Sequence, residues 1–126
     1  MPLSYVIDKQ RRVVLSTGTG IVTFAEIRAH QDALTSDSAF APQFNQLLDL
    51  TAATGLDISN SEARVVAAHK LFSQRSRRAF VASQTAIYGV GRMLQAYHEL
   101  SGEAAPRPAV FDNLAAAKKW LGLPIS

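Results

Sequence analysis

Twice in this chain an apolar run of strand character gives way to a hydroxyl residue followed three positions later by glutamate. The two are Thr23-Phe24-Ala25-Glu26 and Ser59-Asn60-Ser61-Glu62. In such a box the hydroxyl accepts from the third helical amide, and the glutamate reaches back to the cap amide, so both orphan donors are satisfied. A strand that hands over to a capped helix, repeatedly, is the grammar of an α/β domain with a parallel sheet.

The remaining elements fall in around these two. Tyr5-Val6-Ile7 and Arg12-Val13-Val14-Leu15-Ser16 flank Asp8-Lys9-Gln10-Arg11 as a hairpin, and Gly18 and Gly20 break or curve its second strand. The first helix places Phe24, Ile27, Gln31 and Leu34 on one stripe and ends at Asp37-Ser38 and Pro42. Phe44 to Leu50 reads as a third strand, with a polar turn from Thr51. A second helix with Val65, Ala68 and Phe72 inward precedes a short strand, Arg77 to Ala82. A third helix, Gln84 to Leu100, buries Ile87, Val90, Gly91, Leu94 and Tyr97 and stops at Gly102. Pro108 to Phe111 is the fifth strand. The last helix, Leu114 to Leu121, is capped by Asp112 or Asn113 and stopped by Gly122 and Pro124. The spacing predicts one domain over residues 1–126, with a mixed, mostly parallel five-stranded sheet and four helices in the order β-β-α-β-α-β-α-β-α.

Composition narrows the functional classes. The chain has 126 residues, 48% of them apolar and 18% charged, which is enough to bury a sizeable core. No apolar run reaches the ~20 residues of a membrane span. Met1-Pro2-Leu3-Ser4 leads directly into a strand pattern, so no signal peptide and a cytoplasmic location are expected. With no cysteine there is no disulfide framework, thiolate metal site or cysteine nucleophile.

Chemistry-bearing residues are sparse. His30, His69 and His98 fall one per helix without ligand spacing, so no metal and no cofactor are expected. Asp49 and Asp57 could pair near a strand end, but Ser83 and Thr85 have no adjacent base; the expectation is a non-enzymatic protein. Gly89-Val90-Gly91 lacks the strand context and third glycine of a nucleotide loop, and close packing of the helix on the sheet accounts for it better. Between Ala63 and His98 there is no acid, whereas Arg64, Lys70, Arg75, Arg77, Arg78 and Arg92 all fall there. Arg75, Arg77 and Arg78 are therefore candidates for binding an anion, the alternative being a solvated face balanced by acids from elsewhere. No reading helix or interleaved aromatics accompany them, so nucleic acid is not expected. Tyr88 and Arg92 lie one helical turn apart with Gln95 and Glu99, either as a partner-binding patch or as an ordinary solvated face.

Leu48-Asp49-Leu50-Thr51 followed by Asp57-Ile58-Ser59-Asn60 carries a family resemblance. In anti-sigma-factor antagonists of the STAS fold, a strand ending Leu-Asp-Leu-Ser leads five residues later to Asp-Ser-Ser-Gly at a helix start. The whole element order resembles that fold, and resembles more closely the SpoIIAA-like, or STAS-like, bacterial proteins related to it. Asp8-Lys9-Gln10-Arg11-Arg12, Ala79-Phe80-Val81-Ala82 and Ile87-Tyr88-Gly89 look most like the latter group. The resemblance implies a regulatory protein-interaction domain with Ser59 as phosphoacceptor, although Ile58 and Asn60 depart from the antagonist motif. Apart from the resemblance, Ser59 also fits as a plain helix cap. Thr54, Asp57 and Ser61 would join it in contacting a regulatory partner or a second copy of the chain. The order is similar too to the longer CRAL-TRIO lipid-carrier fold; a second expectation, carried by the basic region from Arg64 to Arg92 beside an apolar pocket, is a module that binds an anionic lipid or other amphiphile.

Overall fold

The computed structural model describes residues 2–68, 71–73, 75–100 and 108–124. His69, Lys70 and Gly102 lie outside them. The elements are β1 (Leu3–Asp8), β2 (Val13–Thr23), α1 (Phe24–Ser36), β3 (Asn45–Asp57), α2 (Asn60–Ala68), β4 (Arg78–Val81), α3 (Thr85–Leu100), β5 (Ala109–Phe111) and α4 (Leu114–Leu121). They form an α/β fold whose five-stranded sheet has the order β1-β2-β3-β4-β5. β1 is antiparallel to β2 at one edge; the other three pairings are parallel.

The edge hairpin forms because Asp8 closes its own turn. Its Oδ1 accepts from the Arg11 amide at 2.9 Å and its Oδ2 accepts from Arg11 Nη1 at 3.1 Å. Arg12 completes the turn with a φ of 58°, and β2 then pairs from Asp8↔Val13 to Leu3↔Gly18.

β2 and β3 are both longer than the sequence suggests. The segment from Thr51 to Leu56, expected as a polar turn, is strand. It pairs with β2 as far as Thr23↔Asp57, with register shifts after Thr17 and after Gly20. Each shift places one extra residue in β3. Gly20 accommodates the second with a φ of 61°, a region that side chains disfavour. Asp49 Oδ1 accepts from Thr51 N at 2.9 Å and from Thr51 Oγ1, stitching β3 at the first shift.

A strictly sequential strand order with right-handed crossovers directs α1, α2 and α3 to one face of the sheet. α4 packs across β3, β4 and β5 on the opposite face. Strand alternation divides the core accordingly. Leu50 and Phe80 join Ile87 of α3 on the three-helix face, whereas Leu47, Ala79 and Val81 join Ala117 and Leu121 of α4. α3 approaches closely because Gly91 lies on the Phe80 ring. Among the described residues no helix is long and apolar enough to cross a membrane.

α2 departs from its expected orientation. Ala63 is buried, Val66 and Ala67 are half-buried, and Val65 and Ala68 are exposed. The helix ends at Ala68, so Phe72 belongs to the segment after it. α2 packs mainly on α3, with a lesser contact to α1, and stands off from the sheet.

Candidate functional site

That stand-off leaves a cavity of about 130 Å³ between α2 and the sheet. Alternating residues of two central strands make its floor: Gln46, Leu48 and Leu50 from β3, Arg78 and Phe80 from β4. Leu3 and Val22 close one side. Ile27, His30 and Gln31 of α1, Val66 and Ala67 of α2, and Leu94 and His98 of α3 form the walls, with Leu71 and Phe72 beside them. The lining is largely aliphatic and aromatic with a few convergent polar groups, the composition typical of small-molecule sites.

The polar groups differ in how they are held. His30 is buried, with its Nε2 2.9 Å from Ser16 Oγ, and Gln46 Nε2 donates to the same hydroxyl at 3.1 Å. The Tyr5 ring meets the imidazole edge-on, centroids 5.4 Å apart. Burial lowers the His30 pKa to about 4, so the ring is neutral at pH 7. His98 is buried at the far end of α3 and also lines the cavity. Among the described residues no three His, Asp or Glu side chains come together as a metal site.

Arg78 is different. Its guanidinium carbon sits 5.5 Å over the Phe72 ring, and its Nε is buried without a hydrogen-bond partner. Burial lowers its pKa, but arginine keeps its proton at any physiological pH.

Arg77 and Arg78, grouped in the sequence as one anion-binding surface with Arg75, fall on opposite faces of the sheet. The reason is strand alternation. Arg77 is exposed, its guanidinium 4.3 Å over Trp120 of α4, and its amide donates to Asn45 Oδ1 at 2.8 Å. Arg75 is exposed in the preceding loop, where its amide donates to Ser73 Oγ at 3.3 Å.

The other candidates lie apart from the cavity. Ser59, Asp57, Ser61 and Thr54 are all exposed, Thr54 and Asp57 on β3 and Ser59 immediately before α2. Ser59 Oγ accepts from Glu62 N at 3.1 Å, and Ser59 N donates to Glu62 Oε1 at 2.9 Å, a complete capping box. Arg92 is exposed, but Tyr88 is half-buried against the core cluster around Phe80 and Ile87. Gln95 is drawn inward, its Nε2 donating to the Pro108 carbonyl at 2.7 Å.

Sequence reasoning missed His30, Gln46 and His98 as neighbours in one cavity. One signal was available. Gln46, Leu48 and Leu50 alternate on one face of a strand, and a glutamine at an inward position needs a hydrogen-bond partner, here Ser16. The chain matches no protein-family model, and no curated protein sequence matches it.

Proposed function

We propose that this protein is a non-enzymatic binding module that holds a small apolar molecule in the cavity between α2 and the sheet. The observation that carries the reading is the cavity itself: about 130 Å³ walled by Leu48, Leu50, Phe80, Val66 and Leu94 in the middle of the fold. Protein cores otherwise pack to crystal-like density, and apolar groups around a partly open cavity of this size lack the packing partners they would have there. An engineered apolar cavity of roughly 150 Å³ takes up benzene, so a ring of that size is a fair measure of the space. Titrating the protein with toluene and following methyl resonances tests the reading. Saturable shifts at Leu48, Leu50 and Leu94 are expected, with Val6 and Val65, which are exposed, unmoved. Ala67→Phe, which fills the cavity from α2, abolishes those shifts. No saturable shift in the unmodified protein overturns the reading.

A second reading rests on a different observation. Thr54, Asp57, Ser59 and Ser61 are all exposed where β3 hands over to α2, a surface open to a regulatory protein. The resemblance of Leu48-Asp49-Leu50-Thr51 and Asp57-Ile58-Ser59-Asn60 to the STAS motif supports it and implies Ser59 as the phosphoacceptor. Mass spectrometry of the protein from its native cells is the test. Phosphate on Ser59, Ser61 or Thr54 supports a regulatory switch; its absence under every growth condition removes it.

A further inference from the structure

Among the described residues, one side chain of the cavity lining has a buried polar atom without a partner, Arg78. Its Nε is buried and has no hydrogen-bond partner. Among the described residues, Arg78 is also the single arginine or lysine in the lining, and no aspartate or glutamate lines it. The Phe72 ring, 5.5 Å from the guanidinium carbon, offers a cation–π contact that offsets only part of the lost hydration. A buried guanidinium N–H without an acceptor costs the fold hydration that nothing returns. It is tolerable where a ligand supplies the opposite charge.

We propose that the cavity takes a small monocarboxylate whose head pairs with Arg78 and whose apolar body lies against Leu48, Leu50, Val66 and Leu94. This rests on the ligand-binding reading above and adds the charge and size of the ligand. The head carries one negative charge because the described lining supplies one fixed cation, Arg78, and His30 is held neutral beside Ser16 and Gln46. A dianion would leave a second charge buried and unpaired. A guanidinium fork matches the two oxygens of a carboxylate, so the head is also oriented. The body is short. A cavity of about 130 Å³ holds a benzene ring or a chain of about six carbons, not a long acyl tail.

Paired acids and alcohols separate this from the reading it rests on. The full-length chain is titrated with benzoate and hexanoate, and in parallel with benzyl alcohol and 1-hexanol, following the methyls of Leu48 and Leu94 and the Arg78 Nε–H resonance. The acids are expected to bind at least about tenfold more tightly than their alcohols, and to move the Nε–H signal downfield. Arg78→Met keeps the volume and removes the charge, so it should erase the preference and leave alcohol binding in place. Arg75→Gln combined with Arg77→Gln should change neither. Alcohols that bind as tightly as the acids overturn the carboxylate inference while the cavity reading stands. If neither acids, alcohols nor toluene bind, both fall together. Loss of the acid preference in the Arg75→Gln/Arg77→Gln protein moves the anion to the outer arginines and overturns the assignment to Arg78. If Arg78→Met does not fold, the acid-to-alcohol ratio of the unmodified protein and the Nε–H shift still decide.

Discussion

Ser16 Oγ and His30 Nε2 lie 2.9 Å apart in the interior, one from β2 and the other from α1, and both residues are almost fully buried. The pair ties the first helix to the sheet beside the cavity. Gln46 of β3 donates to the same hydroxyl, so three elements share one polar knot in otherwise apolar surroundings. Because imidazole is desolvated there, the neutral ring is favoured, and the knot depends on it remaining so.

This makes the fold sensitive to mild acid. The His30 pKa falls from 6.5 in the unfolded chain to about 4 in the fold. Between those values the unfolded chain binds the extra proton, so stability declines as pH drops through that window. Above about pH 6.5 the contribution is complete, and below about pH 4 it is gone, for a loss on the order of 3 kcal/mol. Urea unfolding at about pH 7 and again at about pH 4.5 should show the decline, and His30→Gln, which hydrogen-bonds without titrating, should flatten much of it. Equal slopes in the two proteins would show that His30 is not the group responsible.

How far the sequence could be read depended on what each element packs against. The edge hairpin and the box at Thr23, where Glu26 accepts from the cap amide at 3.1 Å, are local, and their signals survive folding unchanged. The five strands and four helices were legible for the same reason. The extension of β3 was not, because Ala52-Ala53-Thr54-Gly55 has the composition of a turn and becomes strand only through its ladder with β2. The phase of α2 was ambiguous too. In Ala63-Arg64-Val65-Val66-Ala67-Ala68 nearly every position is apolar, so periodicity cannot choose which side faces in. Most of the candidate site was hidden for a deeper reason. Patterning shows that Arg78 shares a face with Phe80, but not that α2 stands far enough from the sheet to leave a space beside it.

The two glycines of α3 should respond oppositely to alanine. A Cβ on Gly91 would fall 2.7 Å from two carbons of the Phe80 ring, closer than atoms pack. A Cβ on Gly89 would meet nothing within 4 Å. Gly91→Ala should therefore destabilise the protein by about 1–3 kcal/mol, because α3 or the Phe80 ring must shift. Gly89→Ala should stabilise it by up to about 1 kcal/mol through helix propensity alone. Thermal melts of the two variants check both signs, and a Gly91→Ala protein as stable as Gly89→Ala would contradict the close approach of α3 to the sheet.

Ser59 offers a test of what its hydroxyl does in the folded chain. Ser59 Oγ and Glu62 Oε1 each accept from the other residue's backbone amide, at 3.1 Å and 2.9 Å, so the box satisfies two donors at the start of α2. Ser59→Ala removes one of those bonds and should cost about 1 kcal/mol. Ser59→Asp keeps an acceptor at the cap and should lie within a few tenths of a kcal/mol of the original. A phosphate on Ser59 differs from both. It would bring up to about two negative charges beside the Glu62 carboxylate and near Asp57 in sequence, where repulsion opposes the helix-dipole attraction. Phosphorylation at Ser59 is thus expected to release Glu62 and fray the first turn of α2, the helix whose Val66 and Ala67 wall the cavity. Amide hydrogen exchange at Ser59, Glu62 and Ala63 reads this directly. Exchange should quicken in Ser59→Ala, stay slow in Ser59→Asp, and be fastest in protein phosphorylated at Ser59. Phosphorylated protein that exchanges as slowly as Ser59→Asp would show that the cap tolerates the dianion and that α2 does not respond to it.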